Sequence, residues 1–298
     1  MQPGGIDAVR QITHWNGIGR HDLALERARA ALQQDPDDAE LLVGMGVAMR
    51  GLKRAEDADA AARSALGVHP GHVGALVLLA ELAQEAGRNR EAEEHFLAAL
   101  AEDPEHPGLL AAYAHLMYRT GHLEKAERLV RASLAQDPEF AGAHSLLSLI
   151  LGEREKRERE ARAHGRHAVT LDPGSDMSHL ALGVHEYATG RPFAARRHLR
   201  EALRIDPSDT NVQDAFVEAD YATRWLYLPM YYWSILVRKL PGQQFAVWGA
   251  FMGFSLLAPR IGLGAIRTPV LVAYLVFMVY TWLATPLVKL WVRWRPAQ

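Results

Sequence analysis

Two absences narrow what this chain of 298 residues can do. It has no cysteine, which excludes disulfides, thiolate zinc sites, CxxCH haem attachment and cysteine nucleophiles. Its carboxylates stop at Asp220, and residues 221–298 contain neither Asp nor Glu. Catalytic signatures are missing as well: the sequence holds no HExxH, no GxxxxGKS/T and no GxSxG. The glycines of IGLGAI (Gly262, Gly264) do not follow a strand-like run, so they form no nucleotide fingerprint. His164/His167 and His69/His72 are spaced i,i+3, yet no third ligand is placed to complete a zinc site with either pair. No cofactor, no metal and no enzymatic activity are expected. The N-terminus, MQPGGIDAVR, lacks a charged stretch followed by an apolar run and does not read as a signal peptide.

The formal net charge of −2 hides an asymmetry. Residues 221–298 carry eight Lys/Arg, leaving 25 basic and 35 acidic residues in 1–220. An acidic head argues against nucleic acid, since phosphate binding needs clustered positive charge. The basic tail also holds six of the seven tryptophans and six of the nine tyrosines, a composition suited to an anionic membrane surface.

The head keeps time with proline. Pro36, Pro70, Pro104, Pro138, Pro173 and Pro207 are spaced by 34, 34, 34, 35 and 34 residues, and five of the six follow Asp. Proline has no N–H for a helix and pushes the preceding residue out of the α region, so each pair ends a helix and opens a turn. Between prolines, apolar residues recur at three- and four-residue spacing, the pattern of an amphipathic helix. Gly19, Gly87, Gly121 and Gly190 fall midway at one phase and split each unit into a helix pair.

These features resemble the tetratricopeptide repeat. The unit from Val73 reads Ala80, Gly87, Ala92, Phe96, Ala99 and Pro104 at the family's marked positions. The next reads Ala114, Gly121, Ala126, Val130, Ser133 and Pro138, and the unit from Ala39 offers Gly46, Ala58, Ala65 and Pro70, with Lys53 where Gly is expected. The resemblance implies six repeats over 1–209 (about 5–38, 39–72, 73–106, 107–140, 141–175 and 176–209) and a capping helix at 210–224. The fifth unit is one residue longer and carries GEREKREREARAHGRH. It reads either as a charged docking helix or as a solvated one laced by Glu-first i,i+4 pairs, Glu153–Arg157, Glu155–Arg159 and Glu158–Arg162. His144 and His179 share the fourth position of successive repeats, as partly buried hydrogen-bonded histidines or, less simply, as metal ligands.

In that family the first helix of each repeat lines the concave surface. Carried over by phase, the groove residues are Val43, Val47, Arg50, Val77, Leu78, Glu81, His115, Tyr118, Arg119, Leu146, Leu149, Val184 and Tyr187. Family members that clamp a C-terminal carboxylate use Lys and Asn at the fifth and ninth positions. Here those positions are mostly Val, Leu, Ala, Glu or His, which speaks against that clamp. A partly apolar groove suits an amphipathic helix or an extended apolar peptide, unless the array's own capping helix covers it.

The tail reads as membrane. Residues 269–288 (PVLVAYLVFMVYTWLATPLV) carry no charge and reach about 30 Å as a helix, enough to span a hydrocarbon core. A second run, about 243–260, contains Gly249 and Gly253 in a GxxxG spacing that admits a neighbouring helix. The domain 243–298 is thus expected to be a transmembrane hairpin with a basic C-terminus bearing Trp282, Lys289, Trp291 and Arg293. Residues 225–242, with Trp225, Tyr231, Trp233, Arg238 and Lys239, are expected to lie in the headgroup layer. Arg224, Arg238, Lys239, Lys289, Arg293 and Arg295 flank the hairpin, against Arg260 and Arg267 in its loop, so both flanks are expected in the cytoplasm.

The expected fold is all-α: a right-handed superhelical solenoid of six helix pairs plus a capping helix, then an interfacial helix and a two-helix transmembrane hairpin. The expected role is a non-enzymatic adaptor at the cytoplasmic face of a bacterial-type inner membrane, holding a protein or peptide partner in its groove. A subunit or assembly factor recognised through the hairpin is the alternative, and self-association is open to either.

Overall fold

The computed structural model describes residues 3–154, 157–225 and 227–238, with Gly253, Leu257, Arg260, Pro269, Val270, Val272, Val276 and Val279 beyond them. Among the described residues all long elements are α-helices. They run as antiparallel pairs: α1 (Pro3–Gly17) with α2 (His21–Leu32), α3 (Ala39–Gly51) with α4 (Ala55–Val68), and α5 (Val73–Glu85) with α6 (Asn89–Glu102). α7 (Pro107–Arg119) precedes α8 (Leu123–Gln136), α9 (Ala141–Gly152) precedes α10 (Glu158–Leu171), and α11 (Asp176–Ala188) precedes α12 (Pro192–Ile205). Two single helices follow, α13 (Thr210–Ala222) and α14 (Leu228–Arg238). The chain divides into two compact units, Met1–Ile150 and Leu151–Gln298.

The turns inside five of the six pairs share one construction. The second residue past the helix end takes a left-handed φ: +74° at Gly19, +73° at Gly87, +80° at Gly121 and +90° at Gly190. The amide after it then bonds back to a carbonyl five residues earlier, as in Arg88 N to Ala83 O (2.8 Å), His122 N to Met117 O (2.8 Å) and Arg191 N to Glu186 O (2.9 Å). This satisfies carbonyls that a helix end otherwise orphans. Lys53 occupies the same position with φ +61°, and Arg54 N completes the bond to Met49 O (2.9 Å).

The turns between pairs are built from the Asp-Pro dipeptides. Asp137, Asp172 and Asp206 each end a helix and turn their carboxylates onto the amide two residues on: Glu139 (3.0 Å), Gly174 (3.0 Å) and Ser208 (2.8 Å). The next helix then starts with a side-chain cap. Asp38 accepts from Leu41 N, His72 Nδ1 from Ala75 N, His106 Nδ1 from Leu109 N, Ser175 from Ser178 N and Asp209 from Asn211 N and Val212 N. Each such cap is worth about 1 kcal/mol to its helix.

Small residues let the helices close on one another. In the first unit Ala24, Ala28, Ala58, Ala62, Ala80, Ala92 and Ala99 are fully buried. A Cβ on Gly46 would lie 2.6 Å from Leu78 Cδ2 and 3.3 Å from the Ala58 carbonyl, and one on Gly44 would lie 2.8 Å from Ile12 Cγ2. In the second unit a Cβ on Gly183 would meet Leu199 Cγ at 2.6 Å. Leu199 packs there with Ala195 and Ala219, so α13 closes over α12 through a shared core.

Two expectations for the tail need separate statements. The runs 243–260 and 268–288 lie almost wholly outside the described residues, as do Lys239, Gly249, Trp282, Lys289, Trp291 and Arg293. Among the described residues no helix is long and apolar enough to cross a membrane. The expectation for Tyr231 is corrected. Its side chain is 2% exposed, its hydroxyl donates to the Tyr187 carbonyl at 2.5 Å, and its ring lies 5.2 Å from that of Tyr187. Tyr231 is therefore core of the second unit rather than a lipid anchor. A buried phenol needs a hydrogen-bond partner, and the Tyr187 carbonyl near the end of α11, which also accepts from Gly190 N at 3.2 Å, supplies it. Trp233 is half-buried, while Trp225 is 82% exposed.

Candidate partner-binding face

In the first unit, the first helices of successive pairs, α3, α5 and α7, bring one set of side chains toward a common surface. Val43 and Val47 on α3 and Val77 on α5 are half-exposed and supply apolar area. Between them run polar links from helix to helix. Arg50 on α3 forms an ion pair with Glu81 on α5 and approaches Glu85 at 3.8 Å. Gln84 on α5 donates through Nε2 to His115 Nδ1 on α7 at 3.3 Å. Tyr118 is half-exposed and Arg119 exposed at the end of α7.

The bond from Gln84 fixes Nδ1 of His115 as an acceptor, so the ring is neutral there with its proton on Nε2. Burial holds the His115 pKa below the ordinary histidine value, and the nearby Arg119 charge lowers it further. The face thus carries two cations (Arg50 and Arg119), two carboxylates (Glu81 and Glu85), a neutral imidazole and three valines. A surface of this kind offers apolar contact with a few fixed hydrogen-bonding points.

Two of the thirteen sequence-derived groove residues are not on any surface. Leu78 is 1% exposed and Leu146 5% exposed. Leu78 fills the space left by the missing side chain of Gly46. The sixth position of a first helix therefore packs against the eighth position of the one before it, and Gly44 against Ile12 repeats the pairing. Leu149 is half-exposed. In the second unit Val184 is 38% exposed, but Tyr187 is covered by Tyr231 of α14, so a helix of the same unit occupies that point.

The polar contacts across these helices have no signature in the sequence beyond charge. Glu186 is 3% exposed and is held by Arg162 of α10 (2.7 Å) and Arg191 (3.3 Å), a buried carboxylate paired on both sides as burial demands. Arg162 belongs to the charged fifth unit, where Arg157 also pairs with Glu160 at 2.5 Å; part of that charge therefore serves packing. Tyr113 donates to Glu93 (2.6 Å) and Lys125 donates to the same oxygen (2.7 Å) while lying 4.7 Å from the Tyr113 ring centre. The Lys125 bond, then the Tyr113 bond, pull the Glu93 pKa down, tying α6, α7 and α8 together.

The histidines resolve individually. His144 Nε2 donates to the Pro138 carbonyl (3.0 Å), and His179 Nε2 to the Pro173 carbonyl (3.1 Å), so each braces the proline turn before its own helix. With Nε2 protonated, His179 Nδ1 accepts from His198 Nδ1 at 3.3 Å in a stacked pair. Among the described residues no group of three metal-ligating side chains occurs.

Tetratricopeptide-repeat family models match residues 83–150 and 50–107. No curated protein matches the chain. Among solved structures it is similar to a chain of the APC/C hetero-tetramer Cut9-Hcn1, at 16% identity and a TM-score of 0.61, over 72% of this chain and 42% of that one. It therefore spans less than half of that chain. It is also similar to PilF of Pseudomonas aeruginosa, at 17% identity and a TM-score of 0.54, over 72% of this chain and 97% of that one. At these identities the likeness is one of fold. With the proline period, the left-handed turns and the close-packed small residues, the family models identify tetratricopeptide repeats over residues 50–150 of this chain.

Proposed function

We propose that the chain is a non-enzymatic adaptor that takes a protein or peptide partner on the first-helix face of its repeats and is tethered to the cytoplasmic face of a membrane by residues 243–298. The observation that carries the partner reading is the face of α3, α5 and α7. There Val43, Val47 and Val77 stay half-exposed beside a fixed set of polar groups, Arg50–Glu81 and Gln84–His115. A preformed surface loses little conformational entropy on binding. An amphipathic helix or extended apolar peptide matches its balance of apolar area and sparse polar points. Tethering raises the local concentration of a weak site without new contacts.

Support for the tether comes from the tail. It has no carboxylate after Asp220, and its helical residues Val270, Val272, Val276 and Val279 are 37–63% exposed. Valines left in contact with solvent over this length favour lipid as their surroundings. The second reading, an assembly factor recognised through the hairpin, is favoured by Gly253, around which a Cβ would meet nothing within 4 Å, leaving room for a partner helix. Truncation after Gly242 separates the readings. The full chain should stay with membranes through alkaline carbonate, and the truncated chain should leave them yet keep its partner. Loss of the partner on truncation would transfer recognition to the hairpin, and carbonate release of the full chain would refute the tether.

A further inference from the structure

The segment joining the repeats to the tail has two faces. The inner face of α14 is fastened to α11 and the turn after it by the Tyr231 hydroxyl on the Tyr187 carbonyl at 2.5 Å. Ile235 lies beside Gly190, where a Cβ would sit 3.6 Å from Ile235 Cδ1. The adjoining face, about 100° round the helix, is apolar and open: Tyr232 is 47% and Leu236 55% exposed at i,i+4, and Trp225, in the turn before the helix, is 82% exposed. Large apolar side chains clustered on an open surface mark a site of contact.

The electrostatics around this face say which contact. Asp220 is the last carboxylate of the chain, and it is 14% exposed and held by Arg196 (2.5 Å) and Arg224 (2.5 Å). Its charge is compensated by two guanidiniums, so no acid of this segment opposes an anionic surface. Arg238 ends the helix, Lys239 follows it in the sequence, and residues 240–259 carry no charge. Aromatic and apolar side chains flanked by cations, continuous with an apolar run, fit the headgroup layer of an anionic bilayer.

We infer that α14 is a two-faced collar: Tyr231 and Ile235 lock it to the second unit, while Trp225, Tyr232 and Leu236 rest on anionic lipid. The inference builds on the tether proposed above and adds what the tether alone does not supply. The repeats of the second unit stand on the membrane in a set orientation instead of swinging from a linker.

Because the chain has no cysteine, single labels report cleanly. Trp225→Cys, Tyr232→Cys and Leu236→Cys, with Phe193→Cys on α12 and Val217→Cys on α13 as controls, are each coupled to a polarity-sensitive fluorophore. The full chain is reconstituted into phosphatidylethanolamine–phosphatidylglycerol vesicles containing spin-labelled lipid, and flotation is measured on the same samples. The expected result is flotation of every variant, with blue-shifted and quenched emission at 225, 232 and 236 only. The quenching should weaken as phosphatidylglycerol is replaced by phosphatidylcholine. Flotation with all five labels in water would overturn the collar while leaving the tether intact. Emission that is blue-shifted but unquenched would mean that the tail or a second copy covers the face, which also overturns it. Failure to float would remove the tether and the collar together.

Discussion

Lys53 is the member of the mid-pair turn series that is not glycine, and it offers a clean measurement of what that turn costs. Among the described residues it is the non-glycine residue with positive φ, at +61°. Its side chain is exposed, so replacement disturbs no packing. Left-handed backbone costs a residue with a Cβ roughly 1–2 kcal/mol, while glycine loses about 0.4–1 kcal/mol more unfolded-chain entropy on folding. The difference predicts that Lys53→Gly stabilises the first unit by about 0.5–1 kcal/mol, or about 1–4 °C in thermal midpoint for a domain of this size. The mirror experiment uses Gly87→Ala and Gly121→Ala. A Cβ at either position would meet nothing within 4 Å, so these changes test backbone alone and should destabilise by a similar amount. Urea titrations followed by circular dichroism on all three variants provide the comparison. If Lys53→Gly lowers the midpoint, or the two Gly→Ala variants leave it unmoved, the turn geometry does not carry the energy assigned to it.

Other expectations follow from the same contacts. Gly183→Ala places a Cβ 2.6 Å from Leu199 Cγ and should cost about 1–3 kcal/mol by overpacking, read as a lower urea midpoint for the second unit. Tyr231→Phe removes the hydroxyl bond to the Tyr187 carbonyl, which keeps Gly190 N as its other donor, and should cost about 0.5–1.5 kcal/mol, seen as faster amide exchange along α14. Acid should weaken the fold through histidine. His115, His185 and His198 all have pKa values held below the ordinary 6.5, chiefly by burial. The unfolded chain binds more protons than the folded one just below that value, so stability is complete above it and declines as the pH falls through about 6.5 toward 5. A urea midpoint that is flat from pH 7.5 to 5.5 would contradict this, and His115→Gln should flatten part of the slope.

The repeat was legible because its signals are local. A proline after aspartate ends a helix wherever it occurs, and a mid-pair glycine marks a left-handed turn, so both survive without knowledge of the neighbours. Lys53 shows the limit of reading glycine as the signal: the turn forms with a lysine, since the helix ends on either side outweigh its strain. What the sequence concealed depends on partners distant along the chain. Leu78 and Leu146 share a helix face with surface residues by spacing, yet they are buried, and for Leu78 the reason is the absent side chain of Gly46. Tyr231 sits in an aromatic segment whose composition fits lipid. Only the contact with Tyr187, 44 residues earlier, reveals that one face of the segment belongs to the protein. The links Arg50–Glu81 and Gln84–His115 join residues 31 apart, close to one repeat length. That spacing is a signal available to a reader who looks for complementary pairs one period apart.

The central claim, that the first-helix face of the repeats receives a protein partner, is tested most directly by photocrosslinking in intact cells. A photoreactive amino acid replaces Val47, Tyr118 or Leu149, which are half-exposed, with Arg128, exposed on α8, as the control. Captured proteins are identified by mass. The account predicts one partner trapped from the first-helix sites and not from Arg128. Capture of this chain alone, of nothing, or of the same proteins from Arg128 would contradict it.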